Sequence, residues 1–267
     1  SDTSDKYTPQ TITTPSDRKV VKVEPGATHT CILLDDGGVM CWGRDNLGQL
    51  GNGDTSDTIH APSSNVELPE GRAATDLSVG DHHSCALLDN GSIACWGQNS
   101  HGQLGDNTTK KRLLPVAVTG ISNAIAVSTG DRHNCALLED KSIKCWGRNL
   151  DGELGDGTNE NPRKIPVNVY GVSNAVAVDT GNRHSCALLD NQSVACWGRN
   201  DNGQLGDGTT NSSYVPVVVS GISNAIKIGL GSYHTCAVLD NKSVQCWGRN
   251  NYGQLGNGEI TSTEDNT

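Results

Sequence analysis

HSCALLDNQSVACWGRNDNGQLG, residues 184–206, is one of five variants of a single phrase in this chain. The others begin at His29 (HTCILLDDGGVMCWGRDNLGQLG), His83 (HSCALLDNGSIACWGQNSHGQLG), His133 (HNCALLEDKSIKCWGRNLDGELG) and His234 (HTCAVLDNKSVQCWGRNNYGQLG), with successive histidines 54, 50, 51 and 50 residues apart. A period that constant overrides a domain count made from length, because units of this size cannot bury a stable core alone and must stack on their neighbours. The chain is an array of five units.

Inside the phrase, Cys186 and Leu188 alternate with Ala187 and Leu189, the period of a strand. The turn Asp190-Asn191-Gln192-Ser193 leads into a second strand, Val194 to Trp197, and the Asn90-Gly91 pair at the same place in the second unit is a preferred hairpin turn. Upstream, each unit opens on a proline at 9, 62, 115, 166 or 216. Pro166-Val-Asn-Val, Gly171 and Ala175-Val-Ala-Val read as two further short strands of the same unit. Four strands in about 50 residues, packed as a small twisted sheet, make one propeller blade. The expectation is an all-β, five-bladed propeller of four-stranded antiparallel blades. It would occupy residues 9–259, with an amino-terminal extension at 1–8 and a tail at 260–267. If the ring closes, the strand from Pro9 to Pro15 should lie at the outer edge beside the strand containing Trp247.

Composition narrows the function. Hydrophobic residues are 34% of the chain and aromatics 4%, with no Phe, so the core rests on small aliphatics, Leu and five Trp. A formal charge of -10 disfavours a nucleic-acid partner. The basic groups Lys110, Lys111, Arg112 and Arg163, Lys164 read as solvated turns. No apolar run reaches membrane-spanning length, so membrane insertion is not expected. The start SDTSDKYTP suggests a processed or excised form.

The ten cysteines fall one pair to a unit, ten positions apart: Cys31 with Cys41, Cys85 with Cys95, Cys135 with Cys145, Cys186 with Cys196 and Cys236 with Cys246. With the turn near residue 191 the two cysteines of a pair stand opposite one another in the hairpin, where a disulfide fits. Each bridge would contribute about 2–3 kcal/mol by closing a short loop. Zinc is the alternative, but no Cys-x-x-Cys spacing is present. A disulfide ladder implies an oxidising compartment, and a secreted or cell-surface protein.

The Gly-x-x-His start, the Ser-Val/Ile-x-x-Trp-Gly hairpin end and Asn-x-x-Gly-Gln-Leu-Gly at this spacing resemble the RCC1 repeat family, from about Pro9 to Gly258. The cysteine pairs suggest a secreted, disulfide-containing branch. Family propellers usually have seven blades, and five units depart from that. The resemblance implies roles such as exchange factors for small GTPases, chromatin-associated proteins or, in a secreted relative, protein inhibitors of β-lactamases. The cysteine ladder and acidic charge fit the first two poorly.

Catalysis has little support. His29, His83, His133, His184 and His234 recur at one repeat position and read as turn-binding framework groups; His60, His82 and His101 have no recurring partner. Asp201, Asn202, Asp207 and Thr209 offer hard oxygens without the spacing of a known calcium loop. No cofactor or metal is expected, and no nucleophile has an oriented base. Asn90, Asn107, Asn191, Asn211 and Asn241 begin glycosylation sequons, and turn chemistry explains three of them.

The variable stretches at residues 54–61, 106–114, 156–165 and 207–215, read as connections between blades, and the insertion around Thr75 are the natural recognition surface. Tyr170, Tyr214, Tyr233 and Tyr252 are its candidate anchors. The reading is a protein-binding scaffold with an extracellular protein partner. A carbohydrate-binding propeller and a structural surface module are the alternatives. Non-reducing peptide mapping should recover only the five ten-residue pairs, whereas stoichiometric zinc on reduced thiols would defeat both the pairing and the compartment drawn from it.

Overall fold

The structure, a computed structural model, describes residues 8–14, 17–55, 58–59 and 65–260. Apart from one 3-10 turn at Pro69–Gly71, its regular elements are strands. Blade 1 holds β1 (Val20–Pro25), β2 (His29–Leu34), β3 (Val39–Arg44) and the two-residue β4 (Thr58–Ile59). Blade 2 holds β5 (Ala74–Val79), β6 (His83–Leu88), β7 (Ile93–Gly97) and β8 (Arg112–Ala117). Blade 3 holds β9 (Ala124–Thr129), β10 (His133–Leu138), β11 (Ile143–Gly147) and β12 (Arg163–Asn168). Blade 4 holds β13 (Ala175–Thr180), β14 (His184–Leu189), β15 (Val194–Gly198) and β16 (Ser213–Val218). Blade 5 has three strands, β17 (Ala225–Leu230), β18 (His234–Leu239) and β19 (Val244–Gly248). The molecule is a five-bladed antiparallel propeller whose last blade lacks an outer strand among the described residues.

Strand phase differs from the sequence expectation. The proline-led strand does not share a blade with the strand after it: β8 pairs with β7, and the chain then crosses to begin β9 in the next blade. Alternation identifies a strand but not the sheet it joins. The outer edge suits Pro115, Pro166 and Pro216, because an edge strand tolerates a missing N–H. The variable stretches likewise connect the third and fourth strands of one blade, not two blades. They still reach sideways: the amides of Gly53, Asn107 and Gly157 donate to the carbonyls of Leu113, Lys164 and Tyr214 on the next blade's outer strand, at 2.9, 3.0 and 2.8 Å.

The cysteines meet in register across each central hairpin, on neighbouring strands of one blade. Cys31 faces Cys41, Cys85 faces Cys95, Cys135 faces Cys145, Cys186 faces Cys196 and Cys236 faces Cys246. All five pairs are disulfide-bonded, with Cα atoms 4.0 to 4.1 Å apart, as the hairpin spacing predicts. The first four bridges lie inside the blade junctions. Between blades 1 and 2, Cys31, Val39, Cys41 and Leu50 pack against Leu77, Ala86, Leu88 and Trp96. The other three junctions repeat that pattern, with Cys85 and Cys95, Cys135 and Cys145, and Cys186 and Cys196 in their cores. Trp96, Trp146 and Trp197 are fully buried there.

A polar relay is threaded through the same four junctions. The Gln49 carbonyl accepts the Trp96 Nε1–H at 3.0 Å and the Ser84 hydroxyl at 3.2 Å, and the His29 Nε2 sits 2.8 Å from that hydroxyl oxygen. The hydroxyl's one hydrogen is spent on the carbonyl, so His29 must donate through Nε2–H. Asn134, Ser185 and Thr235 take the part of Ser84 toward His83, His133 and His184, at 2.8, 2.9 and 2.9 Å. The Gln103, Glu153 and Gln204 carbonyls accept from those groups and from Trp146, Trp197 and Trp247. Each of these four histidines is neutral: burial lowers His29, His133 and His184 to about 3 and His83 to about 4.

The loop after each Trp-Gly is held by one side chain. Asn99 Oδ1 accepts from the Leu104 amide at 2.9 Å, and its Nδ2 donates to Asp106 Oδ1 and the Lys110 carbonyl at 3.1 and 3.0 Å. Asn149, Asn200 and Asn250 act alike. Blade 1 has Asp45 there, which accepts from the Leu50 amide but has no amino group to give, leaving Oδ2 buried without a partner among the described residues. Burial raises its pKa.

The ring closure that the sequence reading made conditional is not seen among the described residues. Four junctions join consecutive blades, and among the described residues no hydrogen bond or core cluster joins blade 5 to blade 1. Residues 8–14 pair with no strand, and Pro15 lies outside the described residues. Of the expected extension and tail, only Thr8 and Ile260 are described.

Two outcomes follow for stability. The four buried histidines have folded pKa values below their ordinary 6.5, so the unfolded chain binds more protons between about pH 6.5 and 3; stability is complete above that window and falls through it on acidification, by up to about 1.4 kcal/mol per pH unit per histidine. Proton uptake on unfolding near pH 5 should fall by about one when His133 is replaced by Gln; an unchanged uptake would show that His133 is not held neutral. Asp45→Asn should raise the melting temperature by about 2 °C, corresponding to about 1 kcal/mol, because it supplies the side-chain N–H that the other blades have at this position.

Candidate functional site

Antiparallel order places the turns between first and second strands, and the long loops between third and fourth, at one end of the propeller. The second-to-third turns and the crossings between blades are at the other end. Two repeat positions stand side chains on the long-loop end. One precedes the recurring histidine and holds Thr28, His82, Arg132, Arg183 and Tyr233; the other follows Trp-Gly and holds Arg44, Gln98, Arg148, Arg199 and Arg249. Backbone bonds lock the two positions together: the amides of Arg44, Gln98, Arg148, Arg199 and Arg249 donate to the carbonyls of Thr28, His82, Arg132, Arg183 and Tyr233.

Across blades 3 to 5 these side chains fall into three neighbouring polar groups. Arg132 Nη1 lies 3.2 Å from His101 Nε2. Arg148 pairs with Asp151 at 3.1 Å and with buried Glu153, while Arg183 reaches the same Asp151 at 3.8 Å. Burial raises the Glu153 pKa, and Arg148 offsets this only in part. Arg199 pairs with Asp201 and lies 6.0 Å from the Tyr233 ring centre. Arg249 sits between Tyr233 and Tyr252, at 5.4 and 5.6 Å, and no carboxylate pairs with it among the described residues. Tyr252 is 84% exposed. The arrangement offers planar, cationic contact area that a partner's carboxylate or peptide plane can cover.

The four candidate tyrosines separate. Tyr233 and Tyr252 share Arg249, and the Tyr214 ring packs on Gly152 beside Asp151. Tyr170, which follows β12, stands apart at 68% exposure. Sequence reading missed the arginines, although Trp-Gly-Arg recurs in four units: a repeated residue reads as framework until the blades show which end it crowns. Thr75 is not in a loop. It lies in β5, and its hydroxyl donates to the Leu87 carbonyl. The insertion before it lines a groove of about 500 Å³ with Arg18, Asp36 and Arg72. His60 lies outside the described residues.

A central depression of about 240 Å³ is lined by first turns of all five blades. Burial and the neighbouring Asp131 raise the Asp81 pKa there. Among the described residues no group of three or more His, Cys, Asp or Glu side chains is arranged to hold a metal ion. Asp207 Oδ1 caps the Thr209 amide at 3.0 Å and accepts from Asn200, and Asn90, Asn191 and Asn241 cap their own serines, so these groups are occupied by their turns. No helix is long and apolar enough to cross a membrane among the described residues.

The ultraviolet-B receptor UVR8 of Arabidopsis thaliana is 31% identical over 210 residues, 78% of this chain and 47% of that protein. Among solved structures, Prp20p of Saccharomyces cerevisiae superposes with a TM-score of 0.81 at 24% identity, over 91% of this chain and 61% of that one. The CRINKLY WD40 ectodomain of the Arabidopsis thaliana receptor kinase ACR4 superposes with a TM-score of 0.54 at 21% identity, over 88% of this chain and 65% of that one. The chain spans less than half the length of the curated relatives it matches. The family model described as the RCC1-like domain matches residues 1–267, and the chain belongs to that family.

Proposed function

We propose that this chain is a secreted or cell-surface protein-binding scaffold that recognises an extracellular protein through the long-loop end of blades 3 to 5. RCC1-like propellers act as exchange-factor or adaptor scaffolds and not as enzymes, which makes surface recognition the function to seek. The observation that carries the choice of surface is Arg249 held between Tyr233 and Tyr252 with no carboxylate partner among the described residues. Tyr and Arg anchors supply most binding energy where they are found in interfaces, and a cation already fixed against rings loses little freedom on binding. The five cystine pairs support the compartment.

Tyr214 borders this surface and Tyr170 does not, which gives the test its internal control. A panel of extracellular proteins and a glycan array, probed with the purified chain, identify the ligand class. With a protein ligand in hand, Arg249→Ala and Tyr252→Ala should each weaken binding about tenfold or more without moving the melting temperature, Tyr214→Ala should weaken it less, and Tyr170→Ala should leave it unchanged. Selective glycan binding with no protein ligand, its contacts mapping to equivalent pockets in several blades, would replace this reading with a lectin. Protein binding insensitive to Arg249 and Tyr252 would move the site elsewhere.

A further inference from the structure

At the long-loop end, the junction of blades 2 and 3 and the junction of blades 3 and 4 use the same positions but bring different charges together. Between blades 3 and 4, Asp151 on the long loop lies 3.1 Å from Arg148 of its own blade and 3.8 Å from Arg183 of the next, and buried Glu153 also pairs with Arg148. Counted from the recurring histidine, His101 stands where Asp151 does, Gln103 where Glu153 does, Gln98 where Arg148 does and Arg132 where Arg183 does. The loop of blade 2 therefore has no carboxylate at the two positions where the loop of blade 3 has one each.

Arg132 is left facing an imidazole. Its Nη1 lies 3.2 Å from His101 Nε2, and a guanidinium has no acceptor, so Nε2 accepts and His101 is neutral. Burial lowers the His101 pKa, and the charges of Arg132 and Arg148 lower it further against the opposing pull of Asp131. Asp131 lies 3.3 Å from Arg132 Nε without a hydrogen bond to it, which leaves the Nη groups to His101. Burial and Asp131 raise the Asp81 pKa, so acidification reduces the negative charge near Arg132. The Gln98 Oε1 and the Gln103 Nε2 are each buried without a partner among the described residues, so the pair that replaces Arg148 and Glu153 does not close on itself.

We infer that the junction of blades 2 and 3 is a carboxylate site, in which an acidic group from outside the chain is taken between Arg132 and a His101 that gains a proton as the group binds. The ligand carboxylate fills the place that Asp151 fills at the next junction. Protonation of His101 alone puts two cations 3.2 Å apart, and a carboxylate between them accepts from both. Proton and ligand are thereby linked: the ligand favours the charged ring, and acidification favours the ligand. Because the His101 pKa lies below its ordinary value of 6.5, the ring is uncharged at pH 7.5 and takes up its proton only on acidification below that value. Both side chains are half-buried and within reach of solvent. An acidic side chain of a protein partner is one source of the carboxylate, and for that source the inference rests on the scaffold reading; a small free acid carries the same chemistry.

Acetate, titrated into the intact chain at pH 7.5 and 5.5 against chloride of equal ionic strength and followed by NMR, tests the site without any partner. The His101 ring and Arg132 Nε–H signals should shift saturably, acetate ion should bind at least about threefold more tightly at the lower pH, and the His101 pKa should rise in acetate. Arg132→Ala should raise the His101 pKa in chloride and abolish its response to acetate. His101→Asp, which supplies the carboxylate that Asp151 supplies in blade 3, should leave the Arg132 signal unmoved by acetate, with a melting temperature no lower than the parent's. The peptide acetyl-Gly-Asp-Gly-amide separates the sources: the same shifts with it identify an acidic side chain, and shifts with acetate alone identify a small free acid. Chloride acting as acetate does, equal acetate affinity at both pH values, or an acetate response that survives either substitution would overturn the inference. The readout needs no protein ligand, so this site can stand where the Arg249 and Tyr252 test fails, and fall where that test succeeds.

Discussion

One carbonyl per junction organises this propeller. The backbone oxygen of Gln49, Gln103, Glu153 or Gln204 accepts both an indole N–H and a hydroxyl or amide hydrogen from the next blade. Both donors are buried in the first three junctions, and in the fourth the hydroxyl is buried while the Trp247 indole is partly so; leaving a buried donor unpaired costs about 1–3 kcal/mol. The second donor also sets the histidine behind it, because a hydroxyl that has given its hydrogen away can only accept. Burial keeps that histidine neutral, and the junction excludes a charge it could not solvate.

That relay accounts for how a core without phenylalanine is built. Four of the apolar cores span two sheets, with cystine and leucine from one blade against alanine, leucine and tryptophan from the next. Small residues let the sheets approach, and the indole fills the space that remains. The glycines of the loops share this logic. Gly51, Gly105, Gly155 and Gly206 have positive φ and lie against Trp96, Trp146, Trp197 and Trp247, where a Cβ would enter the ring.

Framework and recognition are thereby separated in space. Histidine, cystine and tryptophan are consumed in the junctions, while the residue before each histidine and the residue after each Trp-Gly are left free to vary at the long-loop end. In blades 3 and 4 that freedom is spent on ion pairs that restrain the arginines. In blade 5 Tyr233 and Tyr252 take the place of the acids, and Arg249 has no carboxylate partner among the described residues.

The five-fold phrase by itself determined the strands, the hairpin that sets each cysteine opposite its partner, and the propeller, because alternation and a fixed period are properties of the backbone that no neighbour needs to supply. It also marked the five histidines as framework, since a group repeated in every unit serves the repeat. Only the tertiary structure decided which sheet each proline-led strand joins, because Pro115 reads the same whether its partner is β7 or β9. Only it brought Tyr233, Arg249 and Tyr252 together, residues set by different loops and united by the antiparallel lock between their backbones. Whether the two ends of the array meet was likewise beyond sequence phase: phase counts units, while closure depends on the angle each buried junction imposes between one blade and the next.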